Sequence, residues 1–387
     1  MYNIKTLNKI SPLGLKLFEE GKYFVSDSAE NPDAILVRSY VMHDMELPES
    51  LKAVARAGAG VNNIPIDRCS EKGIVVFNTP GANANAVKEL VIAGLLLSSR
   101  KIIQAIEWAK TLIGQGSEVP KLIEKGKSAF VGPEIKGKKL GVIGLGAIGV
   151  MVANAARALG MEVEGFDPYI SIDSAWGLSR SVKKASDFKS LLENCDYITL
   201  HVPLTDETRN MMNAEKFELM KKGTRLLNFS RGELVNTEDL KKALEDGTIE
   251  TYVTDFPNEE LLKLDKVIAI PHLGASTPES EENCAVMAAT QLKDFLENGN
   301  ITNSVNFPDC EMARSSNYRV TISHMNIPNM VGQISTILAK AHINILNMNN
   351  RSKGNMAYTI IDAEKEIDED IINKLENIDG VLRVRLL

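Results

Sequence analysis

The chain has 387 residues, of which 44% are hydrophobic and 25% charged, and 51 acidic against 44 basic side chains leave a formal net charge of −7. This length allows two or three domains with their own cores, and the acidic balance argues against nucleic acid or a membrane surface as the main partner, since both require a basic footprint. Four widely spaced cysteines (Cys69, Cys195, Cys284, Cys310) without a CxxC pair point to neither a disulfide framework nor a metal site. The longest apolar run, Leu90–Leu97, is far shorter than the roughly 20 residues that span a bilayer. With no targeting leader read at the start, a cytoplasmic protein is expected.

The first eighty residues alternate short apolar strands (Ala34–Val37, Leu51–Ala55, Ile74–Phe77) with helical or turn-rich stretches, which predicts a small parallel α/β unit. An amphipathic pattern over 85–110 predicts one connecting helix, and a loop rich in Gly and Lys follows. From Lys139 a buried strand runs into Gly144-Leu145-Gly146-Ala147-Ile148-Gly149, then a small-residue helix closed by Gly160, then a strand ending at Asp167. This is a dinucleotide pattern: glycines let the backbone approach a pyrophosphate, the helix N-terminus offers unpaired N–H groups, and the acid grips a ribose 2′-hydroxyl. Asp167 would repel a 2′-phosphate, and the following Pro168 and Tyr169 bring no arginine for one, so NAD is expected over NADP.

Further strands are predicted at 197–202, 225–229, 251–254 and 267–270, followed by a helix that Thr277 caps, with Pro278 at its first position and Gly299 at its end. Residues 304–317 read as a polar linker. Beyond it the pattern is βαββαβ: strands at 318–323, 344–350, 356–362 and 381–387, with helices at 332–341 and 368–378.

In open α/β sheets ligands bind past the carboxyl ends of the strands. There stand Arg231, Asp255 and His272, each just beyond a predicted strand. Removing the hydroxyl proton of a secondary alcohol suits a histidine near neutral pH, and an arginine fork suits a substrate carboxylate. Glu259 and Glu260, between Asp255 and His272, are the carboxylates available beside the imidazole. His201, at the end of its strand, reads more readily as structural than as a cofactor contact, and His43 and His342 read as surface or packing residues.

With these residues, Arg56-Ala57-Gly58-Ala59-Gly60-Val61-Asn62-Asn63, Asn78-Thr79-Pro80, Asn228-Phe229-Ser230-Arg231-Gly232 and Pro271-His272-Leu273-Gly274-Ala275-Ser276-Thr277 make the chain resemble the D-2-hydroxyacid dehydrogenases, and among them the D-3-phosphoglycerate dehydrogenases. The resemblance implies an α/β fold with a discontinuous flavodoxin-like substrate domain (1–84 and 271–303), an inserted Rossmann NAD domain (85–270), a linker (304–316) and a ferredoxin-like ACT regulatory domain (317–387). It implies His272 as proton acceptor, Arg231 on the substrate carboxylate, and a glutamate paired with the histidine. Counting from Asp255 without a gap selects Glu260, whereas matching Phe256 to the family's aromatic selects Glu259; Glu260 is the choice here. The loop is shorter than usual, with Phe256-Pro257-Asn258 after the aspartate.

The resemblance further assigns Arg38, Ser39, Arg56 and Asn83 to the substrate, and Gly144, Gly146, Ala147, Ile148, Gly149, Asp167, Val202, Ser230 and Asp255 to the cofactor. Ala147 stands where many members carry arginine. His324, Asn326 and Asn344 match positions that hold L-serine in serine-inhibited members, although Asn329 replaces the usual glycine after Pro328. The implied function is NAD-dependent oxidation of D-3-phosphoglycerate to 3-phosphohydroxypyruvate, opening serine biosynthesis, in a serine-regulated homo-oligomer. Another D-2-hydroxyacid dehydrogenase is the nearest alternative. An NAD-sensing binding protein on the same fold is the rival of a different class, against which the Arg231, carboxylate and His272 set argues.

Overall fold

Short apolar stretches closed by polar residues become parallel strands throughout the first 277 residues. The computed structural model describes residues 1–387 and divides them into two units, one of residues 1–83 with 278–387 and one of residues 84–277.

The first unit opens with β1 (Tyr2–Leu7), β2 (Tyr23–Ser26), β3 (Ala34–Val37), β4 (Ala53–Arg56) and β5 (Val75–Phe77). They form a parallel sheet of order β2-β1-β3-β4-β5, the flavodoxin-like doubly wound order. All four residues of β3 are buried, as expected where helices cover both faces of a parallel sheet. Sequence reading missed β1 and β2. In β1 only Ile4 is fully buried, and β2 is a four-residue edge with Phe24 half exposed, so neither shows the continuous apolar run of the central strands.

The second unit carries β6 (Lys139–Ile143), β7 (Glu162–Phe166), β8 (Lys183–Lys184), β9 (Tyr197–Leu200), β10 (Thr224–Asn228), β11 (Ile249–Thr254) and β12 (Val267–Ala269). Their parallel order is β12-β11-β10-β9-β6-β7-β8. Strand order reverses between β6 and β9, and such a switch point opens a crevice at the carboxyl ends of the strands. The single helix expected over 85–110 is two, Ala84–Arg100 and Ile102–Lys110, because Lys101 takes a left-handed φ of 44°. The Gly/Lys-rich loop after it contains a further short helix, Val119–Gly126.

The first unit resumes with the helix Pro278–Asn298, and then β13 (Tyr318–Met325), β14 (Ile345–Lys353), β15 (Met356–Ala363) and β16 (Val381–Leu386), with helices Met330–Lys340 and Glu369–Glu376 between them. This is an antiparallel βαββαβ sheet of order β14-β15-β13-β16. No helix is long and apolar enough to cross a membrane.

The stretch before β13, read as a polar linker, is packed. Phe307 is fully buried, Cys310 bridges Ile301, and the Asn306 side chain accepts from the Val76 amide and donates to Ser70 Oγ and the Ile74 carbonyl. Its polar residues saturate one another and the edge of β5, which a composition-based reading cannot anticipate.

The final carbonyls of the helix Pro278–Asn298 lack intrahelical partners, as at any helix C-terminus. Two arginines of the antiparallel sheet supply donors for three of them, beside the Tyr2 hydroxyl on the Leu296 carbonyl and Arg314 on the Glu297 carbonyl. Arg319 Nη1 donates to the Asn298 carbonyl at 2.9 Å, and Arg385 donates to the Phe295 and Leu296 carbonyls while lying 4.3 Å over the Phe295 ring. Arg319 also forms a fully buried two-point pair with Asp362, Nε–Oδ1 2.6 Å and Nη2–Oδ2 2.9 Å. Tyr358 and Ile360 of β15 share one apolar cluster with Phe77, Phe295 and Phe307.

Candidate active site

The turn between β6 and the helix Ala147–Ala158 is built for close backbone approach. Gly144 has φ 90°, and a Cβ there would lie 2.5 Å from the His201 carbonyl oxygen. A Cβ on Gly149 would stand 2.0 Å from the Gly144 carbonyl oxygen. A Cβ on Gly146, by contrast, would meet nothing within 4 Å, so the space outside the helix start is open. No side chain caps this helix, leaving the amides of its first turn, at Ala147 and Ile148, for an anion. Gly149→Ala is therefore expected to weaken NADH binding at least about tenfold in a fluorescence titration with the circular dichroism spectrum retained, and unchanged affinity would show that this turn is not the dinucleotide seat.

Asp167 follows β7, and its carboxylate accepts from the Leu145 amide (2.8 Å) and the Tyr169 amide (2.8 Å). These bonds fix the acid beside the glycine turn while leaving acceptor capacity for ribose hydroxyls. Ser230 Oγ donates to the Leu200 carbonyl at 2.8 Å, and Val202 lies half-buried just past β9. His201 is structural here: burial drives its pKa down to about 3, its Nε2 bonds Thr199 Oγ1 at 3.0 Å, and its Nδ1 is buried without a partner. The turn, the open helix start and the fixed acid fit NAD.

Arg231, Asp255 and His272 all stand at the carboxyl edge of this sheet. Arg231 follows β10, and its carbonyl accepts from Asn228 Nδ2 (2.8 Å), which also bonds the buried Tyr252 hydroxyl (3.2 Å). Sequence reading overlooked this support, although an asparagine closing an apolar strand is a signal for it. His272 follows β12, with the Phe256 ring 4.7 Å from its own at 51°. Asp255 is 1% exposed, and neither of its oxygens completes a hydrogen bond. Burial pushes its pKa up, opposed first by the charge of His272, then by the Gly274 amide and, more weakly, by Arg231. Asp255 and His272 line one cavity of about 530 Å³ with Arg209, Gly232, Glu233 and Phe256.

The two glutamates stand elsewhere. Asn258 caps the short helix Glu259–Leu262 through Leu261 N–H, which buries Leu261 and turns both acids outward. Glu260 pairs with Lys241 at 3.4 Å and Glu259 with Lys263 at 2.7 Å, and no hydrogen bond or ion pair joins either to His272.

In the other unit, Val37 and Arg56 are register partners at the ends of β3 and β4, which brings Arg38 and Arg56 together. Arg56 Nε donates to the Arg38 carbonyl at 3.0 Å, and Arg38 Nη2 pairs with Glu281 at 2.6 Å. The Ser39 amide donates to Asn8 Oδ1 at 3.0 Å, and Asn83 is half-buried just before the helix Ala84–Arg100. On the antiparallel sheet, His324 is buried with Nδ1 2.9 Å from the Met325 carbonyl and Nε2 2.9 Å from Thr359 Oγ1, so its ring faces the sheet interior. Asn326 Nδ2 donates to the Gly354 carbonyl at 3.1 Å, and Asn344 is exposed.

Residues 92–274 match the family described as D-isomer specific 2-hydroxyacid dehydrogenase, NAD binding domain. The chain is 32% identical over 363 residues to the D-3-phosphoglycerate dehydrogenase of Haemophilus influenzae, covering 90% of this chain and 85% of that protein. The chain belongs to the D-3-phosphoglycerate dehydrogenases of the D-2-hydroxyacid dehydrogenase family. It is an NAD-dependent oxidoreductase. The enzyme of that name from Methanocaldococcus jannaschii is 37% identical over 317 residues, 80% of this chain but 57% of the archaeal protein. Among solved structures, NAD-bound 3-phosphoglycerate dehydrogenase from Entamoeba histolytica superposes with a TM-score of 0.60 at 26% identity, over 79% of this chain and 98% of that one.

Proposed function

We propose that the protein oxidises D-3-phosphoglycerate to 3-phosphohydroxypyruvate, the opening step of serine biosynthesis. The observation that supports this reading best is the arginine, buried carboxylate and histidine set that Arg231, Asp255 and His272 form at the carboxyl edge of an NAD-type sheet. Arg38 and Arg56, at the adjacent ends of β3 and β4, are the groups proposed for a phosphate, the anion that distinguishes this substrate from simpler 2-hydroxy acids.

Arg231 takes the substrate carboxylate through its guanidinium fork. A ring nitrogen of His272 takes the proton of the C2 hydroxyl as the alcohol becomes a ketone. NAD, held by the Gly144–Gly149 turn and Asp167, supplies the hydride acceptor. Asn228 keeps the Arg231 backbone in place during this exchange.

The antiparallel sheet is proposed as an ACT domain that pairs with a second copy and takes L-serine near His324, Asn326 and Asn344. The protein is proposed to work in the cytoplasm as a homo-oligomer. Initial rates with NADH test the assignment: 3-phosphohydroxypyruvate should be reduced far faster than unphosphorylated 2-keto acids, and added L-serine should lower that rate. Preference for an unphosphorylated keto acid overturns the substrate, and serine insensitivity overturns the regulation.

A further inference from the structure

Arg38 takes the substrate phosphate in the reading above, yet its guanidinium already has a partner. Its Nη2 meets Glu281 at 2.6 Å, a residue in the first turn of the helix Pro278–Asn298. We propose that Glu281 is a built-in competitor for the phosphate, which must displace this carboxylate from Arg38 in order to bind, so that Glu281 sets the affinity for the phosphorylated substrate. This rests on the assignment of Arg38 to the phosphate.

Three observations carry it. First, the backbone of Arg38 is fixed while its head is free to turn. Its carbonyl accepts from Arg56 Nε at 3.0 Å and from Asn63 Nδ2 at 3.4 Å, and Asn8 Oδ1 accepts from the next two amides, Ser39 at 3.0 Å and Tyr40 at 2.5 Å. The two side chains of the ion pair are 38% and 43% exposed, so the pair can open into water without moving β3. Second, Glu281 is aimed by the packing of its helix. Ser280, Cys284, Ala285 and Ala288 are buried positions at the start of that helix, and the last three join Leu36 of β3 and Ala55 of β4 in one apolar cluster, which seats the helix on those strands with Glu281 beside the residue that follows β3. Third, a carboxylate in the first turn of a helix is favoured by the unpaired amides and the dipole there, so Glu281 has a second electrostatic support when Arg38 turns away.

The balance of charge decides which anion Arg38 keeps. An exposed ion pair is weak, a factor of about five at most in an equilibrium constant. A phosphate monoester brings a charge of about −1.5 to −2 and three acceptor oxygens to a guanidinium fork that can take two of them at once. The phosphate therefore wins Arg38. Its affinity is lowered twice, by the pair it breaks and by the like charge it leaves nearby.

The test is the steady-state kinetics of the full-length enzyme with NADH and 3-phosphohydroxypyruvate, in the wild type and in Glu281→Gln, Glu279→Gln and Arg38→Ala. Glutamine keeps the length of the side chain and removes its charge. In Glu281→Gln the KM for 3-phosphohydroxypyruvate should fall about threefold or more, and inorganic phosphate should inhibit at a correspondingly lower concentration. Glu279→Gln removes the same charge from the same turn, from a residue that makes no ion pair with Arg38, and should move KM by less than about twofold. An unchanged or raised KM in Glu281→Gln, or an equal fall in Glu279→Gln, overturns the proposal. Folding does not confound it, because an exposed pair adds little stability. Arg38→Ala, run alongside, separates the two readings. If it leaves KM at the wild-type value, Arg38 does not hold the phosphate and the substrate assignment loses that group, and if it raises KM while Glu281→Gln lowers nothing, only the competitor role fails.

Discussion

Replacing His272 with alanine should lower turnover by about 10² to 10⁴, the usual contribution of a positioned general acid or base. NADH affinity should change little. The glycine turn and Asp167 hold their geometry through bonds of their own, from Leu145 and Tyr169 to the carboxylate and from Ser230 to the Leu200 carbonyl, and none of these involves the imidazole. Loss of turnover with retained NADH fluorescence enhancement would place His272 in proton transfer. Full turnover in the variant would take His272 out of the proton-transfer role, and equal loss of turnover and binding would make the residue structural.

The second large effect is expected far from the chemistry. Arg319→Ala should cost about 3–5 kcal/mol, the usual penalty for breaking a buried ion pair, and lower the thermal midpoint by about 10 °C. Asp362 would keep only its two 2.7 Å bonds from Ser315, and the Asn298, Met312 and Ala313 carbonyls would lose their donor. Burial opposes charge on Asp362, but the hydrogen bonds from Arg319 and Ser315 outweigh it and hold the carboxyl below its ordinary value. The pair's contribution is therefore present above the ordinary carboxylate pKa and disappears as pH falls through the lowered one. Scanning calorimetry of both proteins at neutral pH measures the difference, and a shift of no more than about 2 °C would mean that relaxation compensates the loss. Lys374→Ala, which removes an exposed pair with Asp370, is the natural contrast and should leave the thermal midpoint essentially where it is.

What could be read from the residues alone follows how local the determining physics is. The strand into Gly144, the helix to Gly160 and the acid at Asp167 lie within thirty residues, and each has a backbone reason to be what it is, so that unit was legible. The same holds for Arg231, Asp255 and His272, because strand ends are visible as the points where apolar runs stop. Strands β1 and β2 were not legible, since only Ile4 of β1 is fully buried and β2 is a four-residue edge with Phe24 half exposed, so neither carries a continuous apolar run. Nor was the state of Glu260, which depends on Lys241 nineteen residues earlier and on an asparagine cap whose effect is to aim a helix rather than to start one. The packing of 304–316 was hidden for the opposite reason: its polar residues satisfy one another inside the protein, and polarity alone suggested solvent.

The two arginines that close the helix Pro278–Asn298 bear on how such a chain can evolve. Because Arg319 of β13 and Arg385 of β16 donate to carbonyls ending that helix, and because Tyr358 and Ile360 complete the apolar cluster around Phe295, the last seventy residues are not a detachable appendage. A descendant that discarded them would inherit a frayed helix and a naked aromatic face, and would have to rewrite both before it could remain in solution.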